Sequence, residues 1–275
     1  METVKPLAVV TGASSGIGRA LAMEFAAHGF DLVVCAEDAG LAAAAGELRG
    51  RGADVLAVRA DLAVYDGVEQ LYAAVLATRR PVAAAALNAG VGTGGAFLDV
   101  ALADHARVVD LNISSTVHLA HRLLRDMVDA DEGRLLITSS VAAMAPGPFQ
   151  SVYNASKSFL QSFAQALREE LKDTGVTVTA LMPGITDTAF FHRAGMDDTR
   201  LGRLPHKDDP ARVARDAVEA LLRGRGRIVA GSRWTKALGA ATKVAPDRVK
   251  AAGQRYLSEP PPRGGSHPRT GLRSR

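Results

Sequence analysis

The residues with the clearest chemical potential are a tyrosine and a lysine in Tyr153-Asn154-Ala155-Ser156-Lys157, opening a stretch patterned as a helix. Four residues apart on a helix, the two side chains share one face, so the ammonium can lie near the phenol and stabilise phenolate. That would lower a phenol pKa normally near ~10 and make Tyr153 a usable general acid or base. A Tyr–Lys pair at this spacing is more often a solvated helix face, so its meaning depends on what surrounds it. A second candidate is Thr11-Gly12-Ala13-Ser14-Ser15-Gly16-Ile17-Gly18, which follows an apolar run and opens an amphipathic segment. Glycines there permit a tight turn, close approach of backbone to a pyrophosphate and close packing of helix on strand. The free N–H groups at the helix start attract phosphate charge. With strand before and helix after, an ordinary strand-to-helix turn is the weaker reading.

The elements that must position these residues follow from periodicity. Short β-branched runs at 7–11, 32–35, 55–58, 84–87, 135–139, 176–181 and 228–230 read as buried strands. Amphipathic stretches at 17–28, 41–49, 64–78, 104–130, 153–173 and 210–222 read as helices between them. This alternation predicts an α/β fold, a doubly wound and mostly parallel sheet covered on both faces, with ligands beyond the carboxyl ends of the strands.

At 275 residues, with 47% hydrophobic and 23% charged residues, the chain can bury a sizeable core, which excludes disorder as its main state. One catalytic domain over residues 1–257 is expected. The single cysteine, Cys35, excludes a disulfide scaffold, and the absence of a signal-peptide pattern at the start points to the cytoplasm. No apolar run approaches the roughly 18 residues of a membrane span. Beyond Glu259 the only charged residues are Arg263, Arg269, Arg273 and Arg275, which equal the whole formal charge of +4. Residues 258–275 therefore read as a disordered basic tail; no aromatic residue interleaves with its arginines, so a nucleic-acid arm is not expected. His118 and His121 are spaced for a metal but lack a third ligand, and no metal site is expected.

Taken together, these motifs resemble the short-chain dehydrogenase/reductase (SDR) family over nearly everything from residue 7 to 231. The family's glycine motif matches Gly12, Gly16 and Gly18, with Ser14, Ser15 and Ile17 between them. Its Asn-Ala-Gly element matches Asn88-Ala89-Gly90, and its Pro-Gly element matches Pro183-Gly184, followed by Ile185 and Thr188. Its catalytic asparagine, serine, tyrosine and lysine fall on Asn112, Ser140, Tyr153 and Lys157. The resemblance implies a Rossmann-like single domain around a seven-stranded sheet and hydride transfer between a nicotinamide cofactor and a carbonyl or alcohol. In that scheme Ser140 donates to the substrate oxygen and Tyr153 exchanges a proton with it. Lys157 tunes Tyr153 and holds the nicotinamide ribose, and Asn112 serves a water relay reaching the lysine. A satisfied core amide is an equally open reading of Asn112. Adjacent strand residues face opposite ways, and the family spacing selects Ser140 over Ser139.

Cofactor choice rests on the end of the second strand. Glu37 stands nineteen residues after Gly18, where an acid can bond the adenosine ribose diol and repel a 2′-phosphate, favouring NAD(H) over NADP(H). NAD-preferring relatives usually place Asp where this chain has Ala36, and Arg19 stands as an alternative phosphate partner. Asp61, followed by Leu62, matches the family's adenine-contacting acid. Met144, Phe149, Phe190 and Phe191 are expected to line an apolar substrate pocket for a small carbonyl or alcohol. Residues 232–257 exceed a minimal family member; Trp234, Ala237, Leu238, Ala241, Val244, Val249 and Leu257 suggest an added helical element on the body or on another subunit. A homodimer or homotetramer is the expected assembly. The competing functions are a nucleotide-sensing or scaffold protein, which loss of Tyr153 or Lys157 would have signalled, and an epimerase or dehydratase, which usually has a larger separate substrate domain.

Overall fold

The computed structural model describes residues 4–232, 235 and 246–261. Trp234, Ala237, Leu238, Ala241 and Val244 of the extension, and residues 262–275 of the expected tail, lie outside the described residues. Among the described residues seven strands are present: β1 (Leu7–Thr11), β2 (Asp31–Ala36), β3 (Val55–Arg59), β4 (Val82–Leu87), β5 (Gly133–Thr138), β6 (Val176–Pro183) and β7 (Arg227–Ala230). They form one parallel sheet in the order β3-β2-β1-β4-β5-β6-β7. The direction of winding reverses between β1 and β4, so their carboxyl ends splay the loops that follow them and open a crevice there.

The helices are α1 (Gly16–Ala27), α2 (Gly40–Gly50), α3 (Tyr65–Ala77), α4 (Leu102–Val109), α5 (Ser115–Asp129), α6 (Ser151–Glu170), α7 (Phe190–Arg193), α8 (Pro210–Leu222) and α9 (Asp247–Ser258). Strand residues alternate between two cores. Leu7, Val9, Val33 and Cys35 pack with Leu71, Leu119, Leu123 and Leu160. Ala8, Val10, Leu32 and Val34 pack with Leu21, Phe25, Leu48, Val213 and Leu221 on the opposite face. Burial on both faces is why the strands read as continuous apolar runs.

Two local features depart from the expected elements. The single helix expected over 104–130 is interrupted by a π turn, Asp110–Ser114, between α4 and α5, with Asn112 at its centre. The wider turn accommodates Asn112, whose side chain is committed to backbone and side-chain partners on other elements. At the other end of the chain, Ser258 does not begin a free tail: it closes α9 and is buried. Its neighbour Leu257 joins a small cluster with Phe191, Ala194, Met196 and Leu201, and its carbonyl accepts from the Leu201 N–H at 2.9 Å.

Helix α3 comes down on the loop that carries Asp61 with almost no clearance. A Cβ at Gly67 would stand 1.8 Å from the Asp61 carbonyl oxygen. Gly67→Ala should therefore lower the unfolding free energy by about 1–3 kcal/mol through overpacking. Helix propensity alone predicts a gain of about 1 kcal/mol. A denaturant midpoint that falls at unchanged slope is the expected result; a midpoint that rises would refute the contact.

Candidate active site

The crevice beyond β1 and β4 is a cleft of about 530 Å³, lined by the glycine-rich loop, the ends of β2 to β6 and the loops after them. Its floor is fixed by Thr11. The Thr11 hydroxyl accepts from the N–H groups of Asn88 and Ala89 at 2.9 and 3.0 Å, and the Asn88 amide donates to the Thr11 carbonyl at 3.3 Å. Thr138, at the end of β5, donates to the Asn88 amide oxygen at 3.2 Å. Three strand ends are thus tied at one point, and Asn88 does the tying.

The glycine-rich loop fits a dinucleotide diphosphate. Gly12 has φ +67° and Gly16 φ +54°, both left-handed. A Cβ at Gly18 would lie 2.0 Å from the Gly12 carbonyl oxygen, which leaves no room for any other residue. Ser14, Ser15, Gly16 and Ile17 line the cleft at the start of α1, whose first turn carries no acidic residue and whose N-cap Ser15 makes no side-chain cap bond. A phosphate there would meet backbone donors and the positive end of the helix. The Thr188 methyl packs within reach of Gly16 from the opposite wall, and Arg193 Nη1 lies 3.4 Å from the Ser15 hydroxyl.

Ser140, Tyr153 and Lys157 meet on the β5 side of the cleft. Ser140 caps the short 3₁₀ turn Val141–Met144, accepting from the Ala142 N–H at 3.1 Å, and lies near enough to the Tyr153 phenol to favour its ionised form. Ser139 instead donates to the Lys157 carbonyl at 2.7 Å, fixing α6 to the end of β5. Lys157 Nζ donates to the Thr138 carbonyl at 2.9 Å and sits 5.8 Å from the centre of the Tyr153 ring. Burial pushes the Tyr153 phenol up to about 12, against the lowering influence of Ser140, and pushes Lys157 down to about 8. The lowered phenol pKa expected from the Tyr–Lys spacing is not found, because the cost of burying phenolate dominates.

Asn112 stands behind this group rather than in the cleft lining. Its amide nitrogen donates to the Val91 carbonyl and the Ser156 hydroxyl, both at 2.9 Å, and its oxygen accepts from the Val91 N–H at 2.9 Å. A Cβ at Gly90 would come within 3.0 Å of the Asn112 oxygen and 3.4 Å of Lys157 Nζ, so glycine preserves the gap between them.

The remaining expected residues divide. Glu37, Asp61, Leu62, Asn88, Ala89, Gly90, Pro183, Gly184, Ile185, Thr188, Phe190 and Phe191 line the cleft, whereas Met144 and Phe149 do not. Phe149 adopts φ +64° and presents its ring to Arg255 of α9 at 5.7 Å, packing it outside the wall it was expected to form. Arg19 is ion-paired with Glu47 on α2 and does not reach the cleft. Sequence reasoning missed Arg107, which bonds both Glu37 and Asp61, and Lys250 and Gln254 of α9; Val249 and Leu257, read as part of an added helix, were not placed on the cleft they line. Arg107 lay unmarked within a helix-patterned stretch, with no local signal of its distant partners.

A family profile described as short chain dehydrogenase matches residues 6–198. The chain is 31% identical over 215 residues to oxidoreductase UcpA of Salmonella typhimurium, covering 78% of this chain and 79% of that protein. A short-chain dehydrogenase from Sphingobium yanoikuyae in complex with NADPH superposes with a TM-score of 0.78 at 28% identity, covering 98% of this chain and 100% of the other. A short chain dehydrogenase/reductase from Burkholderia phymatum in complex with NAD gives 0.78 at 27%, covering 95% and 99%. With the cradle, the serine–tyrosine–lysine cluster and the strand order all in place, the chain belongs to the short-chain dehydrogenase/reductase family and is an NAD(P)-dependent oxidoreductase.

Proposed function

We propose that the protein interconverts the carbonyl and secondary-alcohol forms of a small, mainly apolar molecule, with Tyr153 as the acid–base group. The observation that carries this reading is the convergence of Ser140 and Tyr153 on the cleft wall, with the buried Lys157 ammonium held behind them by the Thr138 carbonyl. A nicotinamide bound in the cleft supplies or accepts the hydride. Ser140 donates to the substrate oxygen and fixes its position. Tyr153, protonated at neutral pH because burial holds its phenol up at about 12, gives its proton to that oxygen in the reductive direction. Lys157, close by, steadies the phenolate that results and is placed to hold ribose hydroxyls. Asn112 is a positioning residue: it braces the Val91 backbone against α6, and its oxygen shares the gap beside Gly90 with Lys157, the arrangement a water-mediated proton relay to Lys157 requires.

Phe190, Phe191, Leu201 and Leu257 give the substrate end of the cleft an apolar wall, and the Phe190 ring lies 5.1 Å from that of Tyr153. Glu37 supports a preference for NAD(H), since a carboxylate beside the adenosine ribose accepts from its hydroxyls and repels a 2′-phosphate.

Tyr153→Phe keeps the ring and removes the proton. Turnover in a carbonyl panel followed by nicotinamide absorbance should fall by about 10²–10⁴ while dinucleotide binding persists; near-normal turnover would refute the assignment. The charge of Lys157 sets a pH limit. Its folded pKa lies below that of a free lysine, so the ammonium is present below about 8 and is lost as pH rises through that value. kcat/KM for reduction should be level through neutrality and decline above about pH 8; a profile level to pH 10 would show that the charge is not needed. Glu37→Arg should move the ratio of specificity constants toward NADPH by roughly tenfold to a hundredfold, the worth of a charged hydrogen bond of about 1.5–3 kcal/mol. A wild type that already prefers NADPH would overturn the role given to Glu37.

A further inference from the structure

At the adenosine corner of the cleft, two carboxylates and one guanidinium form a compact triad that the tyrosine chemistry does not use. Arg107, on α4, donates from Nη2 to Glu37 Oε2 at 2.5 Å, from Nη1 to Asp61 Oδ2 at 3.1 Å and from Nη2 to Asp61 Oδ1 at 3.4 Å. Glu37 comes from the end of β2 and Asp61 from the loop after β3, so one side chain joins three elements. Burial alone would raise the Asp61 carboxyl, but the Ala63 N–H and Arg107 hold it below the usual carboxylate range. Both carboxylates line the cleft, whereas Arg107 stands behind them.

The other charges at this corner are already engaged differently. Asp38 accepts from the Ser14 hydroxyl at 2.6 Å and the Gly40 N–H at 2.8 Å. Arg59 donates through Nε to the Glu37 backbone carbonyl at 2.9 Å, and Arg19 is paired with Glu47. Among the described residues, Arg107 is the guanidinium that bridges the two cleft-lining carboxylates. Without it, Glu37 and Asp61 would present two uncompensated negative charges beside the place a ribose 2′-substituent occupies, and the Glu37 carboxylate would lose the bond that fixes its direction.

We propose that Arg107 is a positioning and charge-balancing residue that sets how far this cleft tolerates the 2′-phosphate of NADP(H). This rests on the placement of the adenosine ribose beside Glu37. The effect has two parts. Arg107 holds Glu37 by one oxygen, leaving the other to accept from a ribose hydroxyl, which serves NAD(H). It also cancels one of two negative charges facing the 2′ position, which lessens repulsion of a dianionic phosphate and so serves NADP(H) more. Since the triad is about 40–50% exposed, the charge effect is moderated by solvent and salt.

The test is equilibrium binding of NADH and NADPH to the full chain, read by nucleotide fluorescence at low and high salt, for wild type, Arg107→Gln, Arg107→Lys and Arg59→Gln. In Arg107→Gln, NADPH should weaken about tenfold more than NADH, with the gap narrowing at high salt. Arg107→Lys keeps the charge and should restore most of the NADPH affinity, and Arg59→Gln should leave the ratio within about twofold of wild type. Melting temperatures of the variants separate loss of fold from loss of selectivity. Equal weakening of both dinucleotides, a ratio that moves toward NADPH in Arg107→Gln, or a shift confined to Arg59→Gln would each overturn the proposal. Failure of wild type to bind either dinucleotide would instead overturn the reading of the cleft, and the proposal with it.

Discussion

Thr11 is the residue on which the site and the sheet both depend. Its hydroxyl receives two consecutive backbone N–H groups, those of Asn88 and Ala89, at the point where strand order reverses. A parallel sheet leaves the polar groups at its carboxyl edge without strand partners, and buried ones must be satisfied. Here one hydroxyl satisfies two donors and sets the spacing between the β1 and β4 loops. The same bonds bring Ala89 against Gly12, where a Cβ would stand 3.0 Å from the Ala89 Cα. The glycine-rich loop and the cleft wall after β4 are therefore positioned by one interaction, and Asn88 extends it to Thr138 and hence to the carbonyl that holds Lys157.

The tyrosine–lysine pair gains its meaning from burial rather than from mutual contact. On a solvated helix the two groups would keep nearly their ordinary acidities. Sunk into the cleft wall, the phenol resists ionisation and the ammonium is poised to lose its proton, so the two pKa values move toward each other from about 10 and 10.5 in opposite senses and cross. In the reaction proposed above, proton exchange with a third partner, the substrate oxygen, is where that tension is relieved. The polar contacts of Ser140 and the Thr138 carbonyl offset part of the cost of keeping both groups away from water.

Much of this was legible because local sequence and tertiary role coincide. Each run read as a strand proved to be a strand of the sheet, since the central strands are buried on both faces and keep short unbroken apolar runs bounded by turns. The Gly12–Gly18 loop was legible because close approach of backbone demands glycine whatever the rest of the chain does. What escaped was set by distance in sequence. Arg107 meets Glu37 across 70 residues and Asp61 across 46, and an arginine in an amphipathic helix looks the same whether it faces water or a carboxylate pair. Phe149 was placed in the pocket because it is apolar and lies in a loop flanking Ser140 and Tyr153, but its left-handed backbone turns the ring toward α9. The apolar pattern announced a helix through Val249 and Leu257, but not that α9 would return to line the cleft, since the pattern carries no sign of which surface it covers.

The π turn at Asn112 separates two helical phases on what is otherwise one continuous cylinder. In a regular α-helix each residue advances about 100°, so a stripe that meets the core at one end dictates which residues face the cofactor side at the other. The wider turn inserts an angular offset between α4 and α5. Downstream, Leu119, Leu123 and Met127 keep the core stripe. Upstream, Arg107 turns to Glu37 and Asp61. The face that α4 turns toward Glu37 and Asp61 is consequently set apart from the helical phase on which the interior packing of α5 depends.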